Sequence, residues 1–222
     1  MKKAEDLGLI GLKVLQDDEL YTFTSDAILL AKFARVKAGE VVADFCAGCG
    51  IVGFELYGLS PDKISSVTFF EMQKSLFDLI EENIALNGLK DKFCAHNIMI
   101  QDLPKNLYGK YSLIVCNPPY MKALSGENDA KAEIAVCRRE IYLDLKDLVI
   151  AIGRGLKYGG RACIVHRADR LIDLVCLMRE NGIEPKRIVP VLPKKGKKPY
   201  LVLVEGVKGG KSGLELCQAT EN

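Results

Sequence analysis

Val41-Val42-Ala43-Asp44-Phe45-Cys46-Ala47-Gly48-Cys49-Gly50-Ile51-Val52-Gly53 is the stretch on which the reading of the fold turns. The run up to Phe45 suits a buried strand, the glycines suit a sharp turn, and the apolar residues near 50–58 suit a helix. Strand, glycine-rich turn and helix in that order open a parallel α/β unit, whose ligands bind outside the carboxyl ends of the strands. Glycine in such a turn allows tight backbone geometry and close approach of a ligand. Gly48, Gly50 and Gly53 also have the G-x-G-x-x-G spacing of dinucleotide sites, with Asp44 ahead of them.

Outward from this stretch, strands and helices alternate. Residues 66–70 are β-branched and aromatic, hence a second strand, which delivers Glu71, 21 residues after Gly50. A carboxylate at that point accepts both ribose hydroxyls of a nucleoside, which serves NAD and S-adenosylmethionine alike. Leu76, Leu79, Ile80 and Ile84 recur at helical spacing, closed by Asn87-Gly88. Strands follow near 93–96 and at 112–116, and residues 121–138 read as a polar loop. Leu145, Leu148, Val149, Ile152 and Leu156 predict a helix stopped by Gly159-Gly160, and 161–165 a strand. The next helix carries Leu171, Leu174, Val175 and Met178, with Asp169 as its cap and Gly182 at its end. Strands near 186–192 and 200–205 flank Pro193-Lys194-Lys195-Gly196-Lys197-Lys198-Pro199, a connection too short for a crossover helix, so they pair antiparallel. At the start, Leu12–Gln16 and Leu20–Phe23 around Asp17-Asp18-Glu19 suggest a hairpin. A helix from Asp26 to Phe33 follows, capped by Ser25 or Thr24 and lying across the ligand end.

The expected architecture is therefore α/β: a seven-stranded, mainly parallel sheet with an antiparallel last strand and helices on both faces. A single domain fills residues 1–222, with a hairpin and helix over 1–35, a core over 36–206 and a tail over 207–222. Its 49% apolar and 27% charged residues exclude a disordered chain. No apolar run approaches the ~18 residues that span a bilayer, and Met1-Lys2-Lys3-Ala4-Glu5-Asp6 has no signal core, so a cytoplasmic protein is expected. The eight cysteines read as reduced, mostly buried thiols. Cys46 and Cys49 form the one C-x-x-C pair and have no second pair to complete a metal site, so no metal is expected. Residues 151–222 carry a net +7 against −5 in the first 150, a mild pointer to a polyanionic partner.

A second motif narrows the chemistry. Asn117-Pro118-Pro119-Tyr120 follows the strand 112–116, again at a carboxyl end. Consecutive prolines fix the backbone and turn the Pro118 carbonyl outward. That carbonyl and the Asn117 side-chain oxygen can accept both hydrogens of a planar amino group, which keeps the lone pair on its nitrogen for attack on a sulfonium methyl. Tyr120 offers a stacking face.

With these residues together the chain resembles class I S-adenosylmethionine-dependent methyltransferases that act on planar amino nitrogens. More closely it resembles the bacterial tRNA(Val) adenine-N6 methyltransferase family, through residues 23–31, 165–171, 184–188 and 203–206. The resemblance implies a Rossmann-like fold and S-adenosylmethionine bound by Phe23, Asp26, Asp44, Ala47, Gly48, Gly50, Glu71, Met72, Asn97 and Asn117. Catalysis would fall to Asn117, Pro118, Pro119 and Tyr120. Asn97 stands where that family usually has Asp, keeping an acceptor oxygen without the charge. Arg139, Arg167, Arg170, Lys194, Lys195, Lys197 and Lys198 are the residues expected to hold tRNA, Arg138 and Glu140 border the loop beside Arg139, and His166 has no necessary task. The expected assembly is a monomer. Rival readings are a protein glutamine-N5 methyltransferase, an rRNA guanine-N2 methyltransferase, and a non-catalytic RNA-binding module.

Overall fold

The computed structural model describes residues 2–20, 25–119 and 143–222. Its strands are β1 (Lys2–Asp6), β2 (Lys13–Asp17), β3 (Glu40–Phe45), β4 (Ile64–Phe70), β5 (Phe93–His96), β6 (Tyr111–Cys116), β7 (Leu156–Arg167), β8 (Ile183–Leu192), β9 (Leu201–Lys208), β10 (Glu215–Leu216) and β11 (Thr220–Glu221). The helices are α1 (Ser25–Phe33), α2 (Ile51–Leu59), α3 (Lys74–Leu86), α4 (Leu145–Gly155) and α5 (Leu171–Glu180).

The main sheet runs β8-β9-β7-β6-β3-β4-β5, with the short β10 and β11 both added to the outer edge of β8. Strands β5, β4, β3, β6 and β7 are parallel; β9 runs antiparallel between β7 and β8. Alternation along the strands sends side chains to two cores, one on each face. On β6, Leu113 and Val115 meet α1, α2 and α3, while Ile114 and Cys116 meet α4 and α5. The same alternation recurs in Cys163 and Val165 against Ala162 and Ile164 on β7. Each fully buried leucine or phenylalanine contributes about 1.5–3 kcal/mol, so helices are held on both sheet faces, as the sequence predicts.

Two buried arginines fasten the end of α1 to the far half of the sheet. Arg187 on β8 donates to the Phe33 carbonyl at 2.6 Å and to Glu205 at 2.8 Å, and its guanidinium lies 3.9 Å from the Phe33 ring centre. Arg161 on β7 donates to the Arg35 carbonyl and to Glu40, which also accepts the Lys37 amide at 2.9 Å. Cationic groups on the last carbonyls of a helix complement its dipole.

Four local expectations change. The hairpin is β1 with β2, Lys2 opposite Asp17, so its turn is residues 7–12 and not Asp17-Asp18-Glu19. The proposed second strand, Leu20–Phe23, and the cap Thr24 fall largely outside the described residues, as do the loop 121–138 and Cys137. Helix α4 ends at Gly155; Leu156 already pairs with Tyr111, and Gly159-Gly160 lie in a bulge within β7. A side chain at Gly160 would lie 2.8 Å from the Lys157 carbonyl and 3.0 Å from that of Tyr111, which explains the glycine. Asp169 pairs with Arg167 at 3.0 Å instead of capping α5. Finally, Cys94 and Cys176 are exposed, not buried. No helix among the described residues is long and apolar enough to cross a membrane, and none of their His, Cys, Asp and Glu residues form a group of three or more that could hold a metal ion.

Replacing Glu205 with Ala leaves the Arg187 charge buried without its carboxylate, which typically costs about 3–5 kcal/mol. The E205A variant is therefore expected to unfold at a markedly lower urea concentration than wild type; an unchanged midpoint would show that the pair carries no stability.

Candidate active site

β3 and β4 end side by side, Phe45 opposite Phe70, and the chain leaves β3 through a turn with three left-handed residues. These are Cys46 (φ 57°), Gly48 (φ 60°) and Gly50 (φ 87°). A cysteine held there stores strain of order 1–3 kcal/mol, and such strain gathers at ligand sites. The Ala47 amide donates to the Phe70 carbonyl at 3.1 Å and the Gly50 amide to that of Ala47 at 2.8 Å.

Two buried carboxylates organise this turn. Asp44 accepts the Gly53 amide at 2.9 Å, in the first turn of α2, where negative charge meets the positive end of the helix dipole. Glu71 accepts the Gly48 amide through one oxygen and the Gln73 amide through the other, both at 2.9 Å. Burial pushes the Asp44 carboxyl well above its usual range, and the neighbouring Glu71 charge adds to the shift. Burial likewise raises Glu71 to about 7, against the pull of its amide donors. The Asn97 side-chain nitrogen bridges the carbonyls of Glu71 and Met72, each at 2.9 Å, so the amide braces this corner and keeps its oxygen for an acceptor role.

A cleft opens over the turn, lined by Ala27, Cys46, Ala47, Gly48, Cys49, Ile51, Val52 and Asn117. Cys116 pairs with Phe45, so Asn117 emerges beside Cys46, half-buried, with Pro118 buried behind it. Asp26 itself is held by Tyr200 at 3.2 Å and Asn222 at 3.1 Å; its neighbour Ala27 forms the wall. Ala27, Ile51 and Val52 escaped sequence reasoning because apolar residues in a helix's first turns carry no polar signature. Phe23, Tyr120 and Arg139, with Arg138 and Glu140, lie outside the described residues.

β8 runs parallel to β7, so the loop carrying Lys194, Lys195, Lys197 and Lys198 leaves the same end of the sheet as the turn and Asn117. All four lysines are exposed. The carbonyl of Tyr200, at the end of that loop, accepts the Ala168 amide at 3.0 Å, which joins Arg167 and Arg170 to the same rim. Arg167 is paired with Asp169, and Arg170 with Asp173 at 2.8 Å, so part of their charge is already neutralised. His166 is 1% exposed, and burial, reinforced by Arg170, pushes it down to about 4. It is a neutral packing residue near pH 7.

A family model described as the methyltransferase small domain matches residues 24–167. The chain belongs to the methyltransferase small domain family. This methyltransferase is 26% identical over 182 residues to a protein of Tolumonas auensis named tRNA1(Val) (adenine(37)-N6)-methyltransferase, covering 81% of this chain and 73% of the relative. Among solved structures it is similar to one described as a predicted O-methyltransferase from Agrobacterium tumefaciens, at TM-score 0.69 and 16% identity over 88% of this chain and 86% of that one. It is also similar to geranyl diphosphate C-methyltransferase of Streptomyces coelicolor A3(2) in complex with Mg2+, geranyl diphosphate and S-adenosyl-L-homocysteine, at TM-score 0.62 and 15% identity over 83% and 77% of the two chains. The cofactor of this methyltransferase is S-adenosylmethionine.

The site fits that cofactor better than a dinucleotide. In a pyrophosphate site the turn amides face the anion, whereas here the Gly48 and Gly53 amides are occupied by Glu71 and Asp44. The described cleft wall carries no Lys or Arg. Two buried carboxylates and no cation suit a ligand bearing a sulfonium charge.

The raised Glu71 has a sign that can be checked. Its folded value lies above the ordinary 4.5, so its protonated form favours the fold below that value, and this stabilisation is lost as pH rises through about 7. With Glu71 proposed as the acceptor of the ribose hydroxyls, cofactor binding would run the other way, because hydroxyls are best accepted by the ionised form. Calorimetry with S-adenosylhomocysteine should show affinity falling about tenfold from pH 8 to pH 6, with the dependence flattened in E71Q.

Proposed function

We propose that this methyltransferase acts on the exocyclic N6 amino group of an adenine in tRNA, near the anticodon. The observation that carries the reading is the position of Asn117-Pro118-Pro119, at the carboxyl end of β6 and beside Cys46 on the cleft wall. When bound, S-adenosylmethionine supplies an electrophilic methyl on its sulfonium. Asp44, Ala47, Gly48, Gly50, Glu71, Met72 and Asn97 would hold it, with Phe23 and Asp26 from the N-terminal segment.

The Asn117 oxygen and the Pro118 carbonyl would accept the two hydrogens of the amino group. Two aimed acceptors hold the nitrogen in line and keep its lone pair from delocalising into the ring. Their work is positioning and electrostatic stabilisation, and the proton passes to water. Tyr120 would stack on the base. The name of the Tolumonas auensis relative supports adenine N6 and tRNA as the target. The exposed lysines 194, 195, 197 and 198, with Arg167 and Arg170 on the same rim and Arg139, would contact phosphates. Such contacts position the nucleic acid without reading its sequence.

Incubation with methyl-labelled S-adenosylmethionine and unmodified tRNA, rRNA, DNA or protein extract, followed by digestion and mass identification, tests the target. Label in N6-methyladenosine from tRNA is expected; methylguanosine or methylglutamine would transfer the site to a different amino group. In the same assay Asn117→Ala should lower methyl transfer by at least about a hundredfold with S-adenosylhomocysteine affinity nearly intact. Changing the four loop lysines to Gln should flatten the salt dependence of tRNA binding by up to about 0.9 in log–log slope per lost phosphate contact. An unchanged slope would mean that the loop faces only solvent.

A further inference from the structure

The β1–β2 hairpin forms its own two-stranded sheet, apart from the central one. It is attached to α3 by two asparagine side chains. Asn87 accepts the Lys13 amide at 2.9 Å and donates to the Lys13 carbonyl at 2.7 Å. One helical turn earlier, Asn83 accepts the Leu15 amide at 2.6 Å and donates to the Leu15 carbonyl at 3.2 Å. Residues two apart on a strand are about 6.6–6.8 Å apart, and residues four apart on a helix about 6 Å along its axis. The match lets two carboxamides on α3 serve β2 as a neighbouring strand would.

The two asparagines differ in one respect. Asn87 is half-buried at the helix end, whereas Asn83 is wholly buried and donates a further hydrogen bond, at 3.1 Å, to the carbonyl of Cys49. Cys49 stands between Gly48, whose amide is on Glu71, and Gly50, at φ 87°. It precedes α2, and a buried carbonyl left without a donor there would cost as much as a lost hydrogen bond. With that carbonyl bonded to Asn83, the peptide plane between Cys49 and Gly50 has one orientation. The cleft-lining residues on either side of it are set accordingly.

We propose that Asn83 is a positioning residue for the cofactor turn, fixing the Cys49–Gly50 peptide plane through its carboxamide and making the turn and the hairpin order together. The inference rests on the proposed reading of this cleft as the S-adenosylmethionine site and is independent of which amino group is methylated. Neither Asn83 nor β2 lines the cleft, so their effect on the cofactor passes through the Cys49 carbonyl.

Calorimetry with S-adenosylhomocysteine on two variants tests this. Asn83→Leu keeps the volume and removes every hydrogen bond of the carboxamide, including that to Cys49; Asn87→Ala frees the hairpin at Lys13 and leaves the turn untouched. Affinity is expected to fall at least about tenfold in Asn83→Leu and to stay within about twofold in Asn87→Ala. Unchanged binding in Asn83→Leu, or an equal loss in both variants, overturns the proposal. Wild-type hydrogen exchange gives a second reading that needs no variant. Ligand at about 100 times Kd should slow exchange of the Leu15 amide by up to about a hundredfold, although the hairpin does not touch the cleft. An unchanged Leu15 rate would equally sink the coupling.

Discussion

Two carboxyl groups buried at the ends of neighbouring parallel strands are the constraint around which the site is built. Asp44 and Glu71 take amides from the turn, from the first turn of α2 and from Gln73 just before α3, so the backbone that would cradle an anion is already committed. Desolvation holds both above the ordinary carboxylate range, and the Glu71 charge adds to the shift of Asp44. A site of that kind is complementary to positive charge.

The second organising element is mechanical. α1 begins at the cleft, with Ala27 on its wall, and ends under Arg187, while Arg161 holds the connection just beyond. These arginines come from β7 and β8, the half of the sheet that also ends in the basic rim. Tyr200 closes the circuit by donating to Asp26 in the first turn of α1. The wall of the cleft and the basic rim are thus parts of one braced unit.

The elements that the sequence revealed are those with strong periodicity on a buried scaffold. The body of α3 follows from its apolar spacing, the start of α1 lies at the cap candidate Ser25, and Asn87-Gly88 forms a Schellman-type stop, the Leu89 amide reaching the Ile84 carbonyl at 3.1 Å. The N-terminal hairpin was misplaced because Asp17-Asp18-Glu19 has turn composition, whereas the true turn holds Ile10 at φ 43° among Gly8 and Gly11. The sequence carries α4 past its true end at Gly155 because Leu156 continues its apolar stripe, yet serves the first pair of β7. At the site, Asp44, Glu71 and Asn117 were legible, since a polar residue at a strand's carboxyl end is conspicuous. Asn83 was not: at helical spacing with four apolar neighbours it looks like one more position on a packing face, and only the structure shows two backbone segments meeting at its carboxamide.

The placement of β9 between β7 and β8 bears on how the chain assembles. β8 finds no partner among the strands made before it; its ladder is with β9, residues 201–208, and with the terminal pieces at 215–216 and 220–221. During synthesis the first six strands of the main sheet can emerge while β7 still shows a bare edge and β8 has nowhere to dock. The sheet closes only when the last long strand inserts between them. The contact of Arg187 with Phe33, far apart in sequence, then locks in the same late step. A chain ending before residue 201 would therefore lack more than an edge: it would expose two open strand edges and leave α1 without one of its anchors.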